Sequence, residues 1–164
     1  MKTLYLVRHA KSSWEDPFQD DFDRPLNKRG RNDAPRMGKR LKERDIHPEL
    51  LLSSPAERAL STCTIIAGKI GHPLQNILTD RSLYHASEEE LLSVVHAFND
   101  GNDTVMVFAH NPGLTDFANR LSRELVTDNI PTCGVVGLRF QVQSWKEVDW
   151  EKGEVLLFDY PKNH

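Results

Sequence analysis

The sequence has no long apolar run, few cysteines and little excess charge, and each absence excludes a class of protein. No apolar stretch among its 164 residues approaches the roughly 20 residues needed to span a bilayer. The formal net charge is −3, so the composition does not favour nucleic acid or an anionic membrane surface as a partner. We therefore expect a globular protein that binds neither nucleic acid nor a membrane.

The two cysteines, Cys63 and Cys133, lie far apart in the sequence and follow no metal-binding spacing. The N-terminal segment MKTLYLVRHA lacks the longer apolar stretch and the small-residue cleavage site of a secretory signal, so we interpret it as the first strand of the fold. These features favour a reducing, cytoplasmic setting. Because no repeat, low-complexity segment or flexible joint divides the chain, residues 1–164 are predicted to form a single domain.

Strand-like and helix-like segments alternate along the chain. Apolar, β-prone runs predict strands at residues 3–7, 49–52, 76–79, 104–109, 135–142 and 154–158. Apolar residues at helical spacing predict helices at residues 33–44, 55–70, 87–98 and 114–121. For the second helix, Ser54 is predicted as the N-cap and Glu57 as its capping-box partner. The alternation predicts an α/β fold, a three-layer α/β/α sandwich with a mostly parallel central sheet.

Three of the predicted strands run directly into cationic or imidazole side chains. The first strand ends at Arg8 and His9, and the strand at 104–109 is followed by His110. The strand at 49–52 leads into a helix whose first turn carries Arg58. In open α/β sheets ligands bind beyond the carboxyl ends of the strands, so we expect these four side chains to surround one site.

The chemistry of these residue types points to a phosphoryl group. Two guanidinium groups and an imidazole around one point are suited to binding a tetrahedral oxyanion. Because the protein itself would neutralise the phosphate, no metal and no cofactor are expected. The other histidine would then be free to attack phosphorus as a neutral imidazole, giving a phosphohistidine intermediate. A lone arginine or histidine is more often structural, so the prediction depends on the convergence of all four.

These motifs resemble those of the histidine phosphatase superfamily, also called the phosphoglycerate-mutase-like superfamily. The family's Arg-His-Gly motif reads RHA here, with Ala10 in place of glycine. SSPAERAL is similar to the context of the second family arginine, FAHNPG to that of the second histidine, and RPLNKRG to a Pro-Leu-x-x-x-Gly segment. The small size and the run Arg24-Pro25-Leu26 are most similar to the SixA-type phosphohistidine phosphatases.

The resemblance implies a phosphoglycerate-mutase-like fold and a role for each matching residue. It implies that His9 is the nucleophile and is transiently phosphorylated. It further implies that the phosphoryl oxygens are held by two arginines and a protonated histidine, namely Arg8, Arg58 and His110. Arg24 is implied at the rim of the pocket.

The sequence departs from the larger family members at the position of their general acid, a glutamate in a Leu-x-Glu context. The stretch RSLYHAS places His85 at or near that position and no carboxylate. His85 is therefore either a proton donor or a loop histidine without a role. Because an alkoxide leaving group needs protonation, the missing acid favours phosphoramidates and activated esters over alkyl phosphates. Glu15 stands where many members have asparagine, and we expect either that it points away from the phosphate or that the loop differs from that of the family.

The favoured function is a metal-independent phosphatase with a histidine nucleophile. Its expected partner is a phosphohistidine protein or a small phosphorylated molecule. A phosphoglycerate-type mutase is disfavoured because the chain is short and lacks both the acid and the enclosing insertions. A non-catalytic phosphate-binding or phosphoprotein-binding module is disfavoured because binding alone does not require His9. The sequence leaves the physiological substrate and the oligomeric state open.

Overall fold

A six-stranded sheet forms the centre of the computed structural model, which describes residues 1–163. The strands, in chain order, are β1 (Lys2–Arg8), β2 (Leu50–Ser53), β3 (Leu78–Thr79), β4 (Thr104–Ala109), β5 (Val135–Phe140) and β6 (Glu154–Asp159). Their order across the sheet is β3-β2-β4-β1-β5-β6. The first four pair in parallel, while β5 pairs antiparallel with both β1 and β6. The sheet is therefore mostly parallel, as the sequence predicts.

Four helices cover the two faces of this sheet. They are α1 (Lys28–Glu43), α2 (Glu57–Ile70), α3 (Glu88–His96) and α4 (Gly113–Leu121). Successive side chains of a strand point to opposite faces, so Leu4 and Leu6 of β1 pack in the core beside α3 and α4. Tyr5 and Val7 pack in the second core beside α1 and α2. The three-layer α/β/α sandwich is thus confirmed, with one apolar core on each side of the sheet.

The parallel pairing brings the ends of β1, β2 and β4 to one edge of the sheet. Arg8 lies opposite Ala109, and Ser53 lies opposite Phe108. The residues that follow these strands therefore start from nearly the same level. This carboxyl edge is where the structure assembles the candidate site.

Helix α1 starts earlier than its apolar spacing predicts. It begins at Lys28 rather than at Asp33, because the Asn27 side chain caps it by accepting a hydrogen bond from the Gly30 N–H at 2.9 Å. The additional first turn is rich in charged residues, so it carries no apolar period. Polar capping, not hydrophobic periodicity, sets this boundary.

The capping box predicted for α2 is wrong. The helix begins at Glu57 after Ala56, which makes no side-chain cap. The Ser54 hydroxyl instead lies 2.8 Å from the imidazole of His110. The Glu57 carboxylate accepts a hydrogen bond from Ser61, one turn along the helix. The serine that looked like a helix cap therefore belongs to the site.

Both cysteines are free and buried, as expected for Cys63. Burial raises the pKa of the Cys63 thiol to about 12, so this side chain is an uncharged part of the core. Within residues 1–163, no helix is both long enough and apolar enough to cross a bilayer.

Candidate active site

A pocket of about 250 Å³ opens at the carboxyl edge of the sheet. Its wall contains every side chain that the sequence proposes for the site: Arg8, His9, Arg24, Arg58, His85 and His110. Lys11, Ser12, Trp14, Asp21, Asn111 and Thr132 complete it. Four larger clefts lie elsewhere on the surface, and one of them borders His85, but none of these four is lined by Arg8, His9, Arg58 or His110. The convergence of cationic and imidazole side chains, not the size of the cavity, marks the site.

His9 is held as a neutral imidazole whose Nε2 carries the lone pair. Its Nδ1 lies 2.8 Å from the carbonyl oxygen of Ala10, which can only accept, so Nδ1 carries the proton. Nε2 then has the lone pair and lies 3.4 Å from Nε of Arg58. His9 is 7% exposed, and this burial lowers its pKa to about 4, against a raising effect of the Ala10 carbonyl. At pH 7 the ring is therefore neutral.

Arg8 and His9 reach the same pocket because β1 ends between them. Arg8 is the last strand residue, and its Nη1 donates to the carbonyl of Ile130 at 2.8 Å. Its Nε is buried and has no partner within residues 1–163. The next residue after the histidine, Ala10, is fully buried and donates its N–H to the Thr62 hydroxyl. A small residue at this point allows the chain to pass close to α2.

Arg58 comes from the first turn of α2 and is buried in the pocket wall. Its Nη1 donates to the backbone carbonyl of Asp21 at 2.6 Å, and its Nη2 to the carboxylate of the same residue at 3.0 Å. The guanidinium is therefore fixed on one side by Asp21 and faces Nε2 of His9 on the other. A phosphoryl group attacked by that nitrogen would lie within reach of a preoriented cation.

His110 follows β4 and is 3% exposed. Its Nε2 lies 2.8 Å from the Ser54 hydroxyl, while its buried Nδ1 has no partner in the described part of the chain. Burial and the neighbouring His9 lower the pKa of His110 to about 3. The ring is therefore neutral when no anion is bound, and the protonated His110 that the resemblance implies stays a prediction for the phosphate-bound site. A phosphoryl dianion beside it would favour the protonated form, so proton and anion would bind together.

Asp21 is a site residue that sequence reasoning missed. It lies in a 3₁₀ turn, Asp21–Asp23, and its carboxylate accepts hydrogen bonds from Arg58, Arg24 and the Tyr84 hydroxyl. Burial raises the pKa of this carboxyl, but the Tyr84 hydroxyl and the Arg58 guanidinium hold it well below its usual range. Asp21 is therefore a permanent anion that orients the two arginines. Its only sequence signal is its position three residues before Arg24.

Arg24 lies in the pocket wall and is more buried than a rim position implies. Its guanidinium stacks on Trp14, with 3.6 Å from Cζ to the ring centroid, and donates to the Ser12 hydroxyl at 2.5 Å. It also pairs with Asp21 at 3.0 Å. These contacts fix the residue as a wall of the pocket between the aromatic ring and the carboxylate.

His85 lies at the open side of the pocket, with 57% of its side chain exposed. Its Nε2 is 3.3 Å from the Asp21 carboxylate, and its ring centroid is 5.8 Å from that of His110. Its backbone has a positive φ of 56°, a region that histidine adopts more readily than most residues. A side chain at Gly113 would overlap the carbonyl of Ala86, so that glycine allows this turn to approach α4. The geometry thus places His85 at the solvent-facing side of the pocket, next to Asp21.

The buried neutral histidines predict that acid destabilises the fold. The pKa of His9 is about 4 in the folded state and about 6.5 when exposed, so the unfolded chain binds more protons between these values. The free energy of unfolding should therefore fall as the pH falls from about 6.5 to about 4. The expected loss is on the order of a few kcal/mol, because one pKa unit corresponds to about 1.4 kcal/mol.

This decline can be measured by denaturant unfolding across that pH range. His110→Gln should flatten it, because the variant removes a second buried imidazole whose pKa is lowered. His47→Gln is the matched control, because His47 is exposed. Equal slopes in all three proteins would show that the buried imidazoles do not cause the decline.

Comparison with known proteins identifies the family. The model of the histidine phosphatase superfamily (branch 1) matches residues 4–83, and the sheet order and helices fit the fold expected for it. The chain belongs to the histidine phosphatase superfamily. SixA of Agrobacterium tumefaciens is 27% identical and superposes with a TM-score of 0.83 over 98% of both chains.

Two sequence relatives align with this chain over very different shares of their own length. An uncharacterized chloroplastic protein of Arabidopsis thaliana is 29% identical over 154 residues, which is 89% of this chain and 70% of the relative. Phosphoglycerate mutase 1 of Saccharomyces cerevisiae is 37% identical over 71 residues, which is 42% of this chain but only 29% of the mutase. The mutase likeness is thus local.

Proposed function

We propose that this histidine phosphatase superfamily member hydrolyses phosphorylated substrates through a phosphohistidine at His9. The observation that carries the proposal is the neutral imidazole of His9, whose Nε2 carries the lone pair and accepts a long hydrogen bond of 3.4 Å from Nε of Arg58. In the first step Nε2 attacks phosphorus, the bond from phosphorus to the leaving group breaks, and that group departs with a proton taken from solvent or, for less activated substrates, from His85. In the second step water attacks phosphorus, the P–N bond breaks, and phosphate leaves.

The charges of the pocket suit a phosphoryl dianion. Arg8, Lys11, Arg24 and Arg58 contribute four positive charges and Asp21 one negative charge, which leaves three positive charges when the histidines of the pocket are neutral. Preoriented guanidinium groups in a buried site stabilise the charge that develops on the equatorial oxygens. The protein therefore supplies the electrostatic role that a divalent cation has in many phosphoryl-transfer enzymes.

The choice of substrate follows from the protons available in the pocket. Asp21 is a carboxylate with a pKa well below the usual range, so it cannot protonate a leaving group at neutral pH. An alkoxide leaves poorly without a proton, whereas the imidazole of a phosphohistidine accepts one from solvent before the P–N bond breaks. We therefore propose phosphohistidine and related phosphoramidates as the preferred class, with His85 as a proton donor for less activated substrates.

A panel of substrates tests the proposed function. The protein should hydrolyse phosphohistidine and p-nitrophenyl phosphate much faster than phosphoglycerate, and it should not transfer phosphate between positions of phosphoglycerate. His85→Ala should slow alkyl phosphates far more than phosphohistidine, because only the alkoxide needs the proton. Turnover is followed as released inorganic phosphate. Mutase activity, or binding of all substrates without hydrolysis, would contradict the proposal, and equal rates for His85→Ala on every substrate would assign His85 no role.

Turnover should not depend on a divalent cation, because the arginines supply the positive charge. Residues 1–163 contain no group of three or more histidine, cysteine, aspartate or glutamate side chains placed to hold a metal ion. We expect the rate after treatment with EDTA to match that of the untreated protein. Complete loss of activity in EDTA that Mg²⁺ or Zn²⁺ restores would show this interpretation to be wrong.

A further inference from the structure

The loop between β1 and Arg24 borders the pocket and exposes two large aromatic side chains. We refer to residues 14–23 as the acidic loop. Trp14 is 72% exposed and contributes to the pocket wall, and Phe18 is 95% exposed. Exposed aromatic side chains are the residues most enriched at the centres of protein interfaces. Their position beside the pocket suggests a contact surface that continues from the site.

The acidic loop is strongly one-sided in charge. Its acidic residues are Glu15, Asp16, Asp20, Asp21 and Asp23, and it contains no lysine or arginine. Asp21 pairs with Arg58 and Arg24, whereas the other four are exposed and form no ion pair within residues 1–163. Glu15 is not part of the pocket wall, in line with the expectation that it points away from the phosphate.

Unpaired carboxylates around an anion pocket restrict what can enter it. The pocket itself points to an anionic ligand, because its wall brings together the cationic side chains of Arg8, Lys11, Arg24 and Arg58. A molecule that carries further phosphates or carboxylates would meet the acidic loop and be repelled. A phosphoryl group surrounded by cationic side chains would satisfy both regions.

We propose that the acidic loop is a docking surface for a phosphorylated protein whose phosphoryl group is flanked by lysine or arginine side chains. This inference rests on the proposed function and specifies its substrate as a protein. The phosphoryl group occupies the pocket, the flanking cations lie against the four unpaired carboxylates, and apolar or cationic side chains pack on Phe18 and Trp14. Charge complementarity distinguishes such a partner from small polyanionic metabolites, which lack the cations.

Peptides that contain one phosphohistidine provide the test. One peptide has lysines on both sides of the phosphohistidine, and a second of equal length has glutamates. We expect kcat/KM to be about tenfold higher for the basic peptide, because several exposed charge contacts act together. The ratio of the two kcat/KM values should shrink at high salt, which screens these contacts. Free phosphoramidate, which has no peptide to dock, is the control substrate. Equal values for the two peptides, or a preference for the acidic one, would overturn the proposal.

A variant with four neutral amides in the acidic loop separates docking from chemistry. Glu15→Gln, Asp16→Asn, Asp20→Asn and Asp23→Asn together should remove the peptide preference, while kcat/KM on free phosphoramidate should not fall. The matched control replaces four acidic residues from loops and helix ends at the opposite edge of the sheet: Glu43→Gln, Asp45→Asn, Glu124→Gln and Glu151→Gln. This control should keep the preference. A preference that survives in the acidic-loop variant would refute the docking role.

Two further measurements keep docking distinguishable from the proposed activity. Phe18→Ser should lower kcat/KM for the basic peptide several-fold without lowering that for phosphoramidate, because its side chain is outside the pocket wall. Peptide binding to His9→Ala, measured by calorimetry, reports docking without turnover. If no substrate is hydrolysed by the wild type, the proposed function fails. The docking surface fails separately if the two peptides bind His9→Ala equally well.

Discussion

Replacing His9 with alanine should abolish turnover on every substrate, by roughly 10⁵-fold or more, as expected when a catalytic nucleophile is removed. The hydrogen bond from Nδ1 to the Ala10 carbonyl fixes the ring and leaves the lone pair on Nε2, which is the nitrogen that faces the pocket's Arg58. The arginines remain in His9→Ala, so the variant should still bind inorganic phosphate. His47→Ala, which changes an exposed histidine, is the control.

Trapping of the intermediate tests the same prediction in the wild-type protein. Brief incubation with labelled substrate, an alkaline quench and peptide mapping should give an acid-labile, alkali-stable phosphoryl group on His9. The hydroxyl groups of Ser12 and Ser54 lie beside Arg24 and His110, so these serines are the alternative phosphorylation sites that the mapping must exclude. A label on either serine, or turnover that persists in His9→Ala, would refute the mechanism.

The part of the site that lies at strand ends can be predicted from the sequence. Arg8, His9 and His110 adjoin β1 and β4, and Arg58 lies in the first turn of α2. Buried strands have a clear apolar signature, and the parallel sheet brings their carboxyl ends to one edge. Topology therefore converts a local pattern into a three-dimensional arrangement, and the structure brings all four side chains into one pocket.

The rest of the site depends on contacts that no local pattern records. Asp21 and Tyr84 meet through a hydrogen bond of 2.6 Å, although they belong to an irregular loop and to the end of a short 3₁₀ turn. Neither segment has a hydrophobic period, so the sequence gives no reason to bring them together. Ser54 shows a related limit, because a serine before a helix is equally compatible with capping and with contact to His110.

Replacing Arg58 with alanine should lower kcat/KM by roughly 10²- to 10³-fold, the usual effect of removing one preoriented transition-state donor. The loss has two sources in this pocket. The guanidinium beside Nε2 of His9 is gone, and the Asp21 carboxylate keeps its negative charge with one partner fewer. Arg36→Ala, at an exposed position of α1, is the control for removal of an arginine.

The pH dependence of Arg58→Ala separates an electrostatic role from a structural one. Because the Arg58 cation lowers the pKa of His9, its removal should raise that pKa and shift the acidic limb of the kcat/KM profile to higher pH. Arg58→Lys keeps the charge but not the contact of two nitrogens with Asp21, so it should restore the acidic limb while recovering only part of the rate.

The double variant Arg58→Ala with Asp21→Asn should bind phosphate more tightly than Arg58→Ala alone, because the unbalanced carboxylate is removed. If the profile of Arg58→Ala keeps the wild-type acidic limb and Arg58→Lys recovers none of the rate, the guanidinium acts only through the fold. Thermal unfolding of the wild type, Arg58→Ala and Arg58→Lys would then show a loss of stability in both variants.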